Sequence, residues 1–401
     1  MKKAGKILLV IGLILLTAVV SSVVTMTLLS VGELRGTEEA GADPVKTKVE
    51  EISSLLDNYF IDEYDPEKVE AAAADGAAAA MIEATGDRWS YYISADEMAA
   101  YNENLYNAYV GIGVTIQMAE EGVEIMSVTA GSPAEEAGIR IGDVITHVNG
   151  EATLDLGMEG TQGVVRGEAG TTVHFVILRG DTTLEMDVER REIVVPVAEA
   201  QLLEGNIGWI TVLNFDHHCA EQTLACVNDM LDQGAEALIF DMRFNGGGLK
   251  TEMVEILDAL LPEGILFQSV DYAGKEEIVK SDAAHLDIPM AVLVNEDSYS
   301  AAEFFAAALQ EYEAAEVVGV QTVGKGNFQY TLPLSDGSAV ALSTGKYFTP
   351  KGVSLTDVGV TPDLQVDLSY DDYLALYYGN LEPEEDEQLQ AALELLQTKI
   401  S

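Results

Sequence analysis

The chain opens on an apolar run. Residues 7–31 carry no charge and are rich in Leu, Ile and Val, a length sufficient to cross a bilayer as a helix. Residues 33–44 are polar and read as a linker. From 45 to 105 the pattern turns helical: Val49, Ile52, Leu55, Leu56 and Tyr59 recur at three-to-four spacing, and the alanine run at 71–80 favours helix as well. This predicts a small helical region without chemistry. At Tyr109 the texture changes. Short β-like runs at 110–117, 122–128, 173–178 and 184–188 alternate with glycine-containing turns. Beyond Val194-Val195-Pro196, strand and helix alternate: strand over Ile207–Val212, helix over 220–232, a buried strand at 237–240, helix over 249–261, strand over Met290–Val294 and helix over 301–310. That order predicts an α/β core with helices packed on a sheet. The tail at 382–401 is acidic, then amphipathic, a helix for packing or for forming a homodimer.

Charge settles the orientation of the first segment. Lys2, Lys3 and Lys6 precede the apolar run; positive charge stays in the cytoplasm, which sends the remainder outside. A cleaved signal peptide is the competitor, and cleavage would yield a secreted form. The run is longer than a usual signal core and no clean Ala-x-Ala site follows, so a retained single-pass anchor in the cell membrane is expected, with the rest of the chain extracytoplasmic. Over all 401 residues, 21 Lys and Arg stand against 68 Asp and Glu, a formal charge of −47. Nucleic acid is excluded as a partner, because neutralising phosphates needs clustered cations; the acidity reads as solubility.

Cys219 and Cys226 are seven residues apart, two turns along a helix and too far for a disulfide. Among the histidines His147, His174, His217, His218 and His285, the adjacent His217 and His218 cannot comfortably face one metal. No metal and no organic cofactor is expected.

Residues 132–150, Ser-Pro-Ala-Glu-Glu-Ala-Gly-Ile-Arg-Ile-Gly-Asp-Val-Ile-Thr-His-Val-Asn-Gly, resemble the central signature of PDZ domains: a short helix, a G-D-x-I strand and an N-G turn. PDZ domains bind peptide ends by strand addition. The resemblance places Gly111-Ile112-Gly113 at the carboxylate-binding loop, although the glycines alone suit a strand bend equally.

Two further segments carry chemistry. In Asn295-Glu296-Asp297-Ser298-Tyr299-Ser300-Ala301-Ala302-Glu303, Ser300 falls between an apolar strand and a helix, where unpaired N–H groups favour developing negative charge. Taken alone, an ordinary helix cap explains such a serine as well. In Thr322-Val323-Gly324-Lys325-Gly326-Asn327-Phe328-Gln329, a lone lysine sits between glycines beside apolar residues. Desolvation lowers a lysine's pKa and supplies the neutral amine that a serine nucleophile needs. A phosphate-binding loop is the rival, but the Walker spacing is missing.

Together these segments resemble the carboxyl-terminal processing peptidases, PDZ-containing serine proteases with a Ser-Lys dyad. The resemblance covers about 59–367 and implies Ser300 as nucleophile, Lys325 as base and Gln329 as the residue orienting it. Asp241-Met242-Arg243-Phe244-Asn245-Gly246-Gly247-Gly248 is similar to the family's Asp-Leu-Arg-x-Asn-Pro-Gly-Gly and implies an oxyanion hole from the N–H groups of Gly247 and Ala301. Two departures stand out: Gly246 replaces a proline and Tyr299 replaces a small residue. Arg166 matches an arginine that couples PDZ and core in some relatives; a surface arginine is the plain alternative.

The expected architecture is therefore α/β and multidomain: an anchor at 1–31, a linker and helical region at 32–108, a PDZ domain at 109–191, a protease core of the ClpP/crotonase-like type at 192–370 and a helical tail at 371–401. The expected function is a serine endopeptidase acting on proteins or peptides with free C-termini. An inactive PDZ scaffold at the membrane and a coenzyme A-dependent crotonase-type enzyme are the alternatives.

Overall fold

The computed structural model describes residues 43–400, so the expected membrane anchor lies outside the described residues. Among those described, no helix is long and apolar enough to cross a membrane. The chain divides after Thr85 into two compact units.

The first unit contributes helices α1 (Pro44–Tyr59) and α2 (Pro66–Glu83). Both begin alike: Asp43 and Asp65 each accept two backbone N–H bonds of the first turn, and a proline follows, where its missing donor is no loss.

In the second unit the helical reading of 45–105 needs correction. A strand, β1 (Tyr91–Ile93), precedes helix α3 (Met98–Tyr106). Three residues are too few to show a period; β1 exists because a distant strand pairs with it, Tyr91 lying opposite Ala341.

Strand β2 (Ala108–Gly111) leads into a small sheet built from β3 (Val114–Ala119), β4 (Gly122–Val128), β5 (Val144–Val148), β6 (Glu151–Ala152), β7 (Thr172–Arg179) and β8 (Thr182–Glu189). Helices α4 (Pro133–Ala137) and α5 (Thr153–Val165) accompany it. The order is β3-β4-β5-β7-β8, leaving β3 at an edge. Ile125, Ile145, Val148, Val173, Phe175 and Ile177 form its core. The buried Asp143 carboxylate takes a two-pronged bond from Arg179, at 2.7 Å on each arm. Strand β9 (Arg191–Val194) pairs with β2, so the chain enters and leaves this domain side by side.

The core sheet runs β10 (Ala198–Leu203), β11 (Ile207–Val212), β12 (Ala237–Asp241), β15 (Met290–Val294), β16 (Ala315–Gly319), β19 (Leu364–Gln365), parallel from β11 onward. Its central strands β12 and β15 are fully buried and, but for Asp241 at the end of β12, apolar, because both faces are covered. Leu238 and Phe240 pack with helices α6 (Cys219–Asp232), α7 (Lys250–Leu260) and α8 (Ala301–Glu311). Ala237 and Ile239 face the other way, toward Leu389, Ala392 and Leu396 of the last helix, α10 (Glu387–Ile400). The tail is thus a packing helix; α9 (Tyr370–Tyr377) precedes it. A second sheet, β1-β18-β13-β14, joins β1 to β13 (Gly264–Asp271), β14 (Glu276–Ser281) and β18 (Ala339–Phe348), with β17 (Asn327–Pro333) paired to β18.

Candidate active site

Open α/β sheets present their ligand sites beyond the carboxyl ends of the strands. Here β12 runs out into 242–249 and β15 into 295–300. Ser300 caps α8 with φ 60° and ψ −120°, a conformation that costs a non-glycine residue about 1–3 kcal/mol. At this strand-to-helix turn Ser300 and Glu303 form a capping box, the Ser300 side chain facing the Glu303 N–H and the Glu303 carboxylate accepting from the Ser300 N–H. Its neighbour Ser298 is different: fully buried, it donates to the Met242 carbonyl at 2.8 Å and accepts from the Asn295 N–H at 3.0 Å. Ser298 is a strut, whereas Ser300 lines the cavity.

Glu303, fully buried one turn into α8, binds the two motifs together. Its carboxylate accepts from the N–H groups of Ser300 (3.0 Å), Gly324 (2.6 Å) and Lys325 (2.9 Å) and from the Thr322 hydroxyl (2.5 Å). Charge-assisted bonds are the stronger class, and four of them converge here. The loop before β17 is held equally closely at Gly326, where a Cβ would meet Thr356 Oγ1 at 2.2 Å.

Burial lowers the Lys325 ammonium to about 8, although Asp87 and Glu303 pull it upward; Arg88 pushes in the same direction as burial. The ammonium lies 4.8 Å from the centre of the Trp89 ring and 5.8 Å from that of Tyr299. Trp89 stacks on Tyr299 at 5.7 Å, with Arg88 4.1 Å from its ring centre.

Ser300, Ala301, Gly247, Lys325 and Gln329 all line one cavity of about 890 Å³. Two expected contacts are not made within it. Gln329 does not reach the lysine: its amide donates to the Asn327 carbonyl (3.2 Å) and Ser343 Oγ (3.0 Å), because the β17–β18 register sets Gln329 opposite Ser343. The Gly247 N–H is taken by Asn245 Oδ1 at 2.8 Å, a turn that asparagine side chains readily form two residues ahead. Among the described residues no hydrogen bond joins Lys325 Nζ to Ser300.

Sequence reasoning passed over one wall of this cavity. Arg88, Trp89, Tyr91, Tyr101, Asn104 and Leu105 line it, although their segment reads as a helical region without chemistry. The signal available was the Arg88-Trp89 pair interrupting the helical pattern after Gly86-Asp87.

In the PDZ-like domain the Ile112 side chain is buried and its carbonyl accepts from Ala134 N–H at 3.0 Å. Gly113 takes φ 80°, turning the chain from Gly111 into the edge strand β3. Arg166 reaches out of this domain to Glu103 on α3, at 2.7 Å, with its guanidinium 5.4 Å from the Tyr109 ring centre.

Two family profiles agree with this architecture. The profile of peptidase family S41 matches residues 206–366 and that of the PDZ domain matches 124–179. A probable CtpA-like serine protease of Staphylococcus epidermidis is 31% identical over 364 residues, 90% of this chain and 72% of the relative. A protein of the same description from Staphylococcus aureus is 30% identical over 372 residues, 92% of this chain and 73% of its own. Among solved structures, the photosystem II D1 C-terminal processing protease is 26% identical with a TM-score of 0.46, over 81% of this chain and 94% of that one. The chain belongs to peptidase family S41, a serine-type peptidase with a PDZ domain ahead of its catalytic core.

Proposed function

We propose that this chain is an endopeptidase of the carboxyl-terminal processing type, with Ser300 as nucleophile and Lys325 as general base. The observation that carries the reading is the Glu303 carboxylate, which holds the backbones of both residues at one cavity wall. Neutral Lys325 takes the Ser300 hydroxyl proton as Oγ attacks the scissile carbonyl. The tetrahedral intermediate collapses to an acyl-enzyme, the leaving amine takes the proton, and water, deprotonated by the same lysine, releases the acid. The oxyanion would lie at the Ala301 N–H, with that of Gly247 joining once the peptide turns away from Asn245. Each such donor contributes about 3 kcal/mol in comparable sites. The amine would have to leave the face of Trp89 to reach Ser300, and Gln329 would gain a role only through such a movement.

Substrates would present a free C-terminus to the PDZ domain, adding a strand to β3 with the carboxylate at Gly111-Ile112-Gly113. The Arg166–Glu103 pair supports a coupling role, because α3 also carries Tyr101, Asn104 and Leu105 of the cavity wall. Anchoring in the cell membrane with the catalytic part extracytoplasmic is part of the proposal, and rests on Lys2, Lys3, Lys6 and the apolar run alone.

An inactive PDZ scaffold is the second reading, favoured by the engaged Gly247 N–H and by Lys325 lying over Trp89. One experiment separates them: incubation with an unfolded protein, wild type against Ser300→Ala and Lys325→Ala, with products read by mass spectrometry. Cleavage by the wild type alone supports the peptidase; cleavage by none supports the scaffold.

A further inference from the structure

The cavity contains an acid that the proposed reaction does not use. Asp216 follows β11 in the segment Asn214-Phe215-Asp216 and lines the same cavity as Ser300. Its backbone is fixed against the candidate oxyanion loop: Phe215 N–H donates to the Gly247 carbonyl at 2.8 Å, and Leu249 N–H donates to the Phe215 carbonyl at 2.7 Å. The Asp216 N–H is held by Asn214 Oδ1 at 3.0 Å, and Asn214 is itself locked in a reciprocal amide pair with Asn107, both bonds at 3.0 Å. The Asp216 backbone is thereby tied to the loop that carries the Gly247 N–H, and its carboxyl group opens into the cavity that Ser300 lines.

Among the described residues, the carboxyl oxygens of Asp216 accept no hydrogen bond and meet no cation. The cavity's cations are engaged elsewhere. Lys250 is paired with Glu277 at 2.7 Å, Arg88 lies over Trp89, and Lys325 lies beside the stacked Trp89 and Tyr299 rings. The apolar side chains of Leu105, Met253, Phe267 and Phe304 line the same space. A half-buried acid without a partner in such surroundings is costly unless something pairs with it. The −47 charge of the chain also draws cationic peptides toward it and repels acidic ones.

Resting on the Ser300 reading, we propose that Asp216 is a specificity residue that selects substrates bearing lysine or arginine beside the scissile bond. The basic side chain would run its methylenes along the apolar wall and place its charge against the Asp216 carboxylate.

The selection should depend on pH. Burial, reinforced by the Glu252 carboxylate of α7, pushes Asp216 up to about 7. The other titratable groups around it are the Tyr91 hydroxyl of β1, the Cys219 thiol of α6 and His217, which lies 3.9 Å from Glu252. Below the Asp216 pKa the acid is neutral and attraction is lost; above it the acid is charged and attraction is present.

The test compares two reporter peptides that differ only in carrying lysine or norleucine at a residue flanking the mapped cut, with each flank tried in turn. The ratio of their kcat/KM values cancels the titration of Lys325, which both share. In the wild type the ratio should rise about tenfold or more in favour of lysine between pH 5.5 and 8.5, the worth of a charge-assisted bond. In Asp216→Asn it should be flat. Glu252→Gln removes a neighbouring negative charge, so the midpoint of the rise should move to lower pH. A wild-type ratio that is independent of pH at both flanks, or one that persists in Asp216→Asn, overturns the assignment of Asp216 alone. Failure of the wild type to cleave either reporter overturns the peptidase reading and this inference with it.

Discussion

The phenol of Tyr299 fills the space that a side chain on residue 246 would need: a Cβ there would stand 2.7 Å from its hydroxyl oxygen and 2.9 Å from the ring carbon bearing it. The two departures from the family pattern, glycine for proline at 246 and tyrosine for a small residue at 299, are therefore one packing solution. Gly246 makes room for a ring that in turn stacks on Trp89 and faces Lys325. The freedom lost with proline remains in the loop, where the next N–H turns to Asn245.

Gly246→Ala should accordingly destabilise the chain and depress cleavage, and Tyr299→Ser in the same chain should restore both. Contacting residues couple by about 0.5–3 kcal/mol. Urea unfolding of the two single variants and the double variant measures the coupling, and additive effects would contradict the clash.

Cleavage should increase with pH through about 8, because Lys325 accepts a proton only when neutral. Asp87 stabilises the ammonium, so Asp87→Asn should shift the pH–rate profile downward. Arg88 destabilises it, so Arg88→Gln should shift the profile upward. Both shifts in one direction, or a profile centred at the value of a free lysine near pH ~10, would contradict this electrostatic account.

Glu303→Ala should remove activity and stability together. It leaves the N–H groups of Ser300, Gly324 and Lys325 without their acceptor, at roughly 1–3 kcal/mol for each buried donor that finds no substitute. Thermal unfolding and reporter cleavage should fall in parallel; full stability with lost activity would show that the carboxylate acts only on the reaction.

Asp386→Ala should cost about 3–5 kcal/mol, since it removes one partner of a buried guanidinium. Arg243 is held between Asp241, at 2.6 Å, and Asp386, at 2.8 Å, with 1% of its side chain exposed. The denaturation midpoint in urea tests this, and an unchanged midpoint would mean that water replaces the lost carboxylate.

Peptides with a free apolar C-terminus should speed cleavage of a separate, carboxyl-blocked reporter, and their amidated forms should not. Glu103→Gln and Arg166→Ala should each lose the acceleration while still binding peptide, because both break the contact from the PDZ domain to α3. Binding by calorimetry together with reporter rates separates coupling from capture; simple competition by the free acid would leave the PDZ domain as a docking site only.

Where one element carries its own instructions, the sequence was enough. Strands Ile207–Val212 and Met290–Val294 appear at the bounds expected from their apolar runs, since a strand covered on both faces has no polar side to blur its ends. The loop-and-helix settings of Ser300 and Lys325 were legible for the same local reason: small residues and glycines mark where the backbone must turn sharply. Tertiary structure decided what those residues touch. Trp89 covers Lys325 in a chain whose β1 is paired, at Tyr91, with Ala341. Gln329 turns to Ser343 because of a strand register, and Arg243 meets Asp386 because the last helix folds back onto the sheet. Asp216 has no local pattern to mark it; only the meeting of β11, the glycine loop and α7 makes it a cavity acid. Periodicity and turn chemistry act over a few residues and can be read along the chain. Pairing, register and burial are set by partners distant in sequence, so the surroundings of the candidate dyad were settled only when the chain folded.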